Sequence, residues 1–383
     1  MKKVLFTATV DSHILQFHLP FLKLFKEKGY EVHVATNGNE KIPYCDIKHI
    51  VSFERSPLRL NNLKAIKQLK KICDNEKFDI IHTHTPMGSV VTRLAARKTR
   101  KSNNTRVIYT AHGFHFYKGA PILNWLVFYP VEKWLSKYTD TLILINKEDY
   151  SLAKRKFSKR CNNIEYVPGV GINVGKFCTQ FSDTQKNNLK KELGIKDASY
   201  ILTCVARLDK NKNQGFLINA MEKIIKDDKN VHLLLVGPDE CNGIYKVMCN
   251  EKKLNDNIHF LGRREDVAEI LSISNIVVSA SMREGLPVNI IEALASSIPV
   301  VAMDCRGMHE LIDQHENGYI CKNESEFISS IEKIKTLNHN ELLKMKKDNK
   351  EKSKKYDVSI ILKLYEKIYF QSNRKGTHYD KQW

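Results

Sequence analysis

No two cysteines in this chain form a Cys-x-x-Cys pair, and the nine present, from Cys45 to Cys321, are an odd number at irregular spacings. That pattern argues against both a disulfide framework and a cysteine-ligated zinc site, and it reads as a set of reduced thiols in a cytoplasmic protein. Long hydrophobic runs are missing too. The longest, from Ile122 to Val131, is broken by Asn124 and Pro130 and falls far short of the roughly 20 apolar residues that a membrane span needs. The opening MKKVLFTATVDSH lacks a small-residue cleavage site and is interrupted by Asp11, so it reads as a first strand rather than an export signal. No short-period repeat and no low-complexity tract appear. Negative charge is in deficit, with 43 acidic against 62 basic side chains and a formal net charge of +19. Such an excess favours an anionic partner: nucleic acid, an acidic lipid surface or a phosphorylated substrate. Charge does not choose among them, and lysines such as Lys64, Lys67, Lys70 and Lys71 also suit a solvated helix face.

A chain of 383 residues is too long for one ordinary core and implies two domains. Short β-rich runs alternate with helical patterns through the first half: VLFTATV (4–10), EVHVAT (31–36), IKHIVSF (47–53), FDIIHTH (78–84), RVIYTAH (106–112) and TLILIN (141–146). The rhythm restarts with YILTCVAR (200–207), VHLLLVG (231–237), IHFLG (258–262), NIVVSA (275–280) and IPVVAMD (298–304). Alternation of this kind predicts an α/β protein of two Rossmann-like, doubly wound domains. The first is placed at 1–176 and the second at 177–355. FCTQFSDTQKNN (177–188), polar and without either period, reads as the linker between them. From 356 to 383 the chain is assigned back to the first domain. YDVSIILKLYEKIY (356–369) has helical spacing suited to a crossover helix, and the closing NRKGTHYDKQW is expected to fray.

The strongest chemical signal is SMREGLPVNIIEALASSIPVV (281–301), ordered as strand end, glycine-bearing loop, helix and strand. Residues Gly285, Leu286, Pro287, Val288, Asn289 and Ile290 would set a helix N-terminus at the carboxyl edge of the sheet, where phosphate is favoured. Glu284 and Glu292 flank it. Two carboxylates beside a phosphate are favourable only if they accept from sugar hydroxyls; the bland reading is one loop glutamate and one solvated helix glutamate. In VARLDKNKN (205–213), Arg207 and Lys212 follow a strand and suit a diphosphate, Arg207 as a fork and Lys212 as a point charge. In the first domain HTHTPMG (82–88) and YTAHGFHFYKG (109–119) carry His82, His84, His112 and His115 after strands. Histidines there are most often structural, and no acidic or cysteine ligands accompany them at metal-site spacing, so no metal is expected. His112 and Gly113 would face the opposing domain across a cleft.

EGLPVNIIE, ARLDKNKN, YVPGVGIN (166–173), FLGRREDV (260–267) and TAHG together resemble the retaining glycosyltransferases of family 4, over essentially the whole chain. TATVDSHILQFHLP and AHGFHFYKG look closest to its capsule and exopolysaccharide branch. The resemblance implies the GT-B fold, with two domains facing across a cleft, and a nucleotide sugar as donor with no cofactor or metal. Arg207 and Lys212 would hold the donor diphosphate, Glu292 the ribose and Glu284 the transferred sugar. Gly262 and Arg263 would line the base pocket, most often for uridine, and His112 would lie near the reacting sugar. Asp11, Ser12, His13, His84 and Gly113 fall on the acceptor side, although Thr9, Val10, Asp11 and Ser12 stand where many relatives have a Gly-Gly loop. A front-face route is implied, in which the leaving diphosphate takes the acceptor's proton and no carboxylate nucleophile is used, unlike the paired carboxylates of retaining glycosidases. The implied acceptor is a polyprenyl-phosphate-linked sugar at the inner face of the membrane. The aromatic segment 114–135 with Lys118, Lys133 and Lys137 would either dock on anionic lipid or fill the first domain's core. A nucleic-acid-binding protein is the rival of another class, without a recognisable module, and a sugar-nucleotide epimerase or phosphorylase of the same shape is the rival among enzymes.

Overall fold

The computed structural model describes residues 1–370; residues 371–383, with the tail expected to fray, lie outside the described residues. Two parallel sheets organise the chain. The first contains β1 (Lys3–Val10), β2 (Glu31–Asn37), β3 (Ile47–Ile50), β4 (Ile80–Thr83), β5 (Arg106–Ala111), β6 (Thr141–Leu144) and β7 (Asn163–Tyr166), in the order β3-β2-β1-β4-β5-β6-β7. The second contains β8 (Tyr200–Val205), β9 (Val231–Val236), β10 (Ile258–Gly262), β11 (Ile276–Ser279), β12 (Val300–Met303) and β13 (Gly318–Cys321), in the order β10-β9-β8-β11-β12-β13. Strands buried on both faces explain why these segments read as continuous apolar runs rather than alternating ones. Six consecutive residues of β1, from Val4 to Thr9, are buried. Phe6 packs edge-on against Phe25, and each such fully buried side chain contributes about 1.5–3 kcal/mol.

This topology places the chemistry. Because β1, β4 and β5 are parallel neighbours, the loops after them gather Asp11 to His13, His84 and His112 at one sheet edge. In the second sheet the adjacency of β10, β9, β8, β11 and β12 does the same for Gly262, Arg207, Lys212, the loop 281–287 and Arg306. Both groups lie where open α/β sheets bind ligands.

The segment read as the linker, in which no helical period shows, includes the start of a helix, Asp183–Glu192, that begins in a capping box. Ser182 accepts from the Gln185 backbone N–H, and the Gln185 side chain accepts from that of Ser182. Its Ser-x-x-Gln signature was in the sequence; its polar surface, with Leu189 alone buried, concealed the period. The chain passes between domains twice at one place. Ile172 and Asp357 bridge in parallel, with the Ile172 N–H donating to the Tyr356 carbonyl (3.0 Å) and the Val358 N–H to the Ile172 carbonyl (2.8 Å). A Cβ on Gly171 would stand 2.8 Å from the Val358 Cα, so the close double passage requires glycine there. Beyond it the helix Val358–Phe370 lays Ile361, Tyr365 and Tyr369 against Phe21 and Phe25 of the first domain.

Candidate active site

In the second domain two loops are stitched together. The Met282 N–H donates to the Asn211 carbonyl (2.8 Å), and the Asn211 side chain donates to the Arg283 carbonyl (3.1 Å). Within this frame the Lys212 ammonium meets the Glu284 carboxylate at 2.5 Å, with both side chains mostly withdrawn from water. The Lys212 backbone N–H is held by Asp209 (2.8 Å). Arg207 lies on the same rim, exposed, its guanidinium shared between Glu240 (3.0 and 3.1 Å) and Asp209 (3.0 Å). Asp209, which pairs with the Arg207 guanidinium and accepts from the Lys212 backbone N–H, thus joins Arg207 and the Lys212–Glu284 ion pair into one chain of contacts. A new anion could compete for both cations there.

The helix Val288–Ala295 starts beside this chain. Pro287 precedes it, no side chain caps it, and the Asn289 amide ties its first turn to the Val205 carbonyl at the end of β8 (2.9 Å). An uncapped first turn leaves backbone N–H groups and the positive end of the helix dipole for a ligand. Leu286, Pro287 and Ile290 are buried and set the loop's path, whereas Val288 and Asn289 are partly open. Glu292, one turn on, is half-buried; burial pushes its carboxyl up to about 7, opposed only by the charge of Lys176. Gly262 and Arg263 are exposed at the end of β10, and the Gly262 carbonyl accepts from Gly237, which itself packs on Ala206 and Arg207.

The two domains touch where these loops meet. A Cβ on Gly285 would lie 2.0 Å from the His112 carbonyl oxygen, and one on Gly113 would lie 2.8 Å from the Arg306 guanidinium and 3.3 Å from the Gly285 Cα. Arg306, which the sequence reading missed, crosses from the second domain to the buried Asp149 of the first (2.7 Å) and stacks over the Tyr117 ring at 4.7 Å. Breaking such a pair from one side leaves a buried charge without a partner. Nothing local in the sequence marks Arg306, since its partner lies 157 positions away. Glu310 adds a second clasp, accepting from Tyr166 (3.0 Å) and from the Lys147 backbone N–H.

On the first-domain side the picture differs from expectation at one residue. Asp11 is not turned to the cleft: its buried carboxylate accepts from Thr36 (2.5 Å), the Glu40 backbone N–H (2.9 Å) and Lys48 (2.8 Å), and Gly38 packs against it. It fastens the loop after β1 to β2 and β3, and both of its oxygens are engaged within the first domain. Ser12 is exposed. His13, His84 and His112 come together, and His18, not singled out in the sequence, joins them: His13 Nε2 lies 3.2 Å from His18 Nε2, and His112 Nε2 lies 3.4 Å from His84 Nδ1. Burial holds all four well below the usual imidazole range, His112 at about 4. They are neutral at physiological pH.

Comparison with known proteins agrees with this geometry. Residues 3–146 match the family model for glycosyl transferase 4-like domains, and residues 185–356 match the model for glycosyl transferases group 1. A protein of Bacillus subtilis named as a glycosyltransferase, EpsD, is 42% identical over 321 residues, 84% of each chain. The N,N'-diacetylbacillosaminyl-diphospho-undecaprenol alpha-1,3-N-acetylgalactosaminyltransferase of Campylobacter jejuni is 28% identical over 377 residues, covering 95% of this chain and 97% of its own. Among solved structures, Anabaena HepE in complex with UDP and glucose has the same fold, with a TM-score of 0.76 at 17% identity over 96% of this chain and 99% of its own. The chain belongs to the family 4 glycosyltransferases of the GT-B fold.

Proposed function

We propose that this glycosyltransferase moves a hexose or N-acetylhexosamine, with retention of anomeric configuration, from a UDP-sugar to a polyprenyl-diphosphate-linked glycan in capsule, exopolysaccharide or O-antigen synthesis. The observation that carries the donor half is the Lys212–Glu284 pair beside an uncapped helix N-terminus, pressed against the His112–Gly113 loop of the other domain. A diphosphate entering there draws Lys212 and Arg207 away from their carboxylates and frees Glu284 to accept from sugar hydroxyls. Glu292 accepts from the ribose, and Gly262 and Arg263 border the base. The backbone N–H groups of 285–290 and the two cations stabilise the departing diphosphate, so catalysis rests on positioning and charge and requires no metal. The names of the relatives support the acceptor class. Nucleotide diphosphate release over a panel of sugar donors, with and without a polyprenyl diphosphate sugar and with a chelator added, tests each part. Release confined to a UDP-sugar, dependent on the lipid acceptor and indifferent to chelator, is the expected result. Loss of release on chelation would overturn the metal-free reading.

Glu292 allows a test with two opposed readouts. Its folded-state carboxyl lies above the ordinary value, so folding favours the protonated form. The destabilisation of the wild type is absent below the ordinary carboxylate range, grows as pH rises and is complete above about 7. Glu292→Gln is expected to be more stable by about 1–2 kcal/mol at pH 8 and no more stable at pH 4. It should nevertheless bind uridine diphosphate more weakly, because an amide is a poorer acceptor for ribose hydroxyls than a carboxylate. Thermal melts at the two pH values with calorimetric titration of the nucleotide check both; a stability gain with unchanged affinity sinks the ribose role.

The enzyme is proposed to work on the inner face of the membrane. Among the described residues no helix is long and apolar enough to cross a membrane. The aromatic segment divides: Phe114 and Phe116 enter the core, whereas the helix Ile122–Leu135 exposes Ile122, Leu123, Leu126, Val127, Val131 and Trp134. Arg93, fully buried, grips Glu132 on its inner side with two bonds (2.6 and 3.0 Å) and so fixes which face looks out. An apolar stripe beside Lys118, Lys133 and Lys137 suits an interfacial helix. Flotation with liposomes is expected to require anionic lipid and to fall with salt. The double substitution Leu123→Glu with Leu126→Glu should weaken it by at least about tenfold; flotation indifferent to lipid charge, salt and these changes excludes the docking face.

A further inference from the structure

Four histidines from three separate segments converge at the edge of the first sheet: His13 and His18 after β1, His84 after β4 and His112 after β5. One ring nitrogen of each lies within 4.8 Å of those of the other three. We propose that this tetrad is a binding site for one divalent transition ion of the zinc class.

Spacing is the first reason. Nitrogens bound to zinc at 2.0–2.1 Å in a tetrahedron stand roughly 3.3 Å apart, and the His13–His18 and His84–His112 nitrogen pairs stand at 3.2 and 3.4 Å. Ligand chemistry is the second. An all-imidazole set suits zinc, cobalt, nickel or copper and not magnesium or calcium, which prefer oxygen. The third reason is what the protein leaves undone. His18 Nδ1 and His84 Nε2 are buried without a hydrogen-bond partner, and their rings stack on each other at 3.7 Å. These are the ring nitrogens opposite the ones that converge, so an ion held by His18 Nε2 and His84 Nδ1 would not itself satisfy them. Packing four imidazoles with two nitrogens unmet costs stability, which four metal–nitrogen bonds would offset. Among the described residues the other cluster of comparable tightness, Glu31, His33 and Glu76, lacks this feature, because Lys3 already pairs with both carboxylates (3.3 and 2.7 Å).

His13 and His112 are the half-exposed members of the tetrad, and His18 and His84 form its floor. An ion held there draws the two rim rings inward, away from the cleft. On the reading of that cleft given above, zinc would therefore inhibit transfer competitively with the acceptor and not with the donor, and a chelator would not lower turnover.

Binding is tested first without turnover. The full chain is dialysed against micromolar zinc or cobalt, the metal is counted by mass spectrometry, and cobalt coordination is read from its visible d–d bands and X-ray absorption. One ion per chain with four nitrogen ligands is expected. His18→Gln and His84→Asn, checked for folding by circular dichroism, should each weaken binding by more than about 100-fold, and His33→Gln should leave it intact. No retained ion in the unmodified chain, fewer than three nitrogen ligands, or retention lost with His33→Gln and kept by the tetrad variants each overturns the site. The absorption measurement uses the unmodified chain, so the outcome stands even if a tetrad variant fails to fold. A chain that binds zinc yet releases no nucleotide diphosphate would overturn the proposed function alone.

Discussion

Replacing Lys212 with alanine is expected to lower turnover by about 10²-fold or more at saturating donor, the scale of losing one charge-stabilising group at a developing anion. In the structure Lys212 is bound to Glu284 at 2.5 Å, on a loop fixed by Asp209 and by the Asn211 contacts to Met282 and Arg283. Its ammonium is therefore already placed beside the helix that would hold the diphosphate, and little reorganisation is needed when charge builds on the leaving oxygen. The same contact creates an ambiguity, because removing Lys212 also leaves the Glu284 carboxylate without its partner. Lys212→Met, which keeps the aliphatic stem, and the double change Lys212→Met with Glu284→Gln separate the effects. If the loss came from the stranded carboxylate, the double variant would recover to the level of Glu284→Gln alone, which itself lacks the acceptor for the transferred sugar; if it came from the missing cation at the transition state, it would stay well below that level. Near wild-type turnover of either single Lys212 variant at saturating donor removes Lys212 from the mechanism.

What was legible in the sequence follows from how each feature is encoded. β1, β8 and β9 announce themselves because six or more consecutive residues of each must satisfy a parallel strand buried on both faces. β7 and β13 were missed because each has four residues, NIEY and GYIC, too few to establish a run and diluted by Glu165 in one and Gly318 in the other. The donor-side loops could be read because their residues are contiguous: Arg207 to Lys212 and Glu284 to Glu292 each lie on one strand-loop-helix unit. Asp11 was misjudged for the opposite reason. Position after a strand is visible in sequence, but the three donors that occupy its carboxylate come from 25, 29 and 37 residues away. His18 and Arg306 are of the same kind, gaining their meaning from parallel strands and a domain contact that no local spacing records.

The contact between domains leads to the second large effect. Gly285→Ala is expected to lower kcat by at least about 10²-fold while leaving affinity for uridine diphosphate within a few-fold of wild type. The added Cβ would sit 2.0 Å from the His112 carbonyl oxygen, a backbone atom that no rotamer change can move aside. Gly285 does not have a positive φ, so the substitution meets no torsional objection within its own domain, and the donor loop can keep its hydrogen bonds. The clash instead forces the His112–Gly113 loop and the Glu284–Gly285 loop apart, against the Arg306–Asp149 and Glu310–Tyr166 clasps that draw the domains together. A displacement near 1 Å is of the order that costs about 10²-fold in a positioned reaction. Gly215→Ala is the matched control: its Cβ would meet only ordinary contacts at 3.4 and 3.7 Å in the helix Gln214–Asp227, and alanine there favours the helix. Wild-type kcat for Gly285→Ala would mean that the two loops do not approach during turnover as they do in this structure, and the assignment of His112 to the reacting end of the cleft would fall with it.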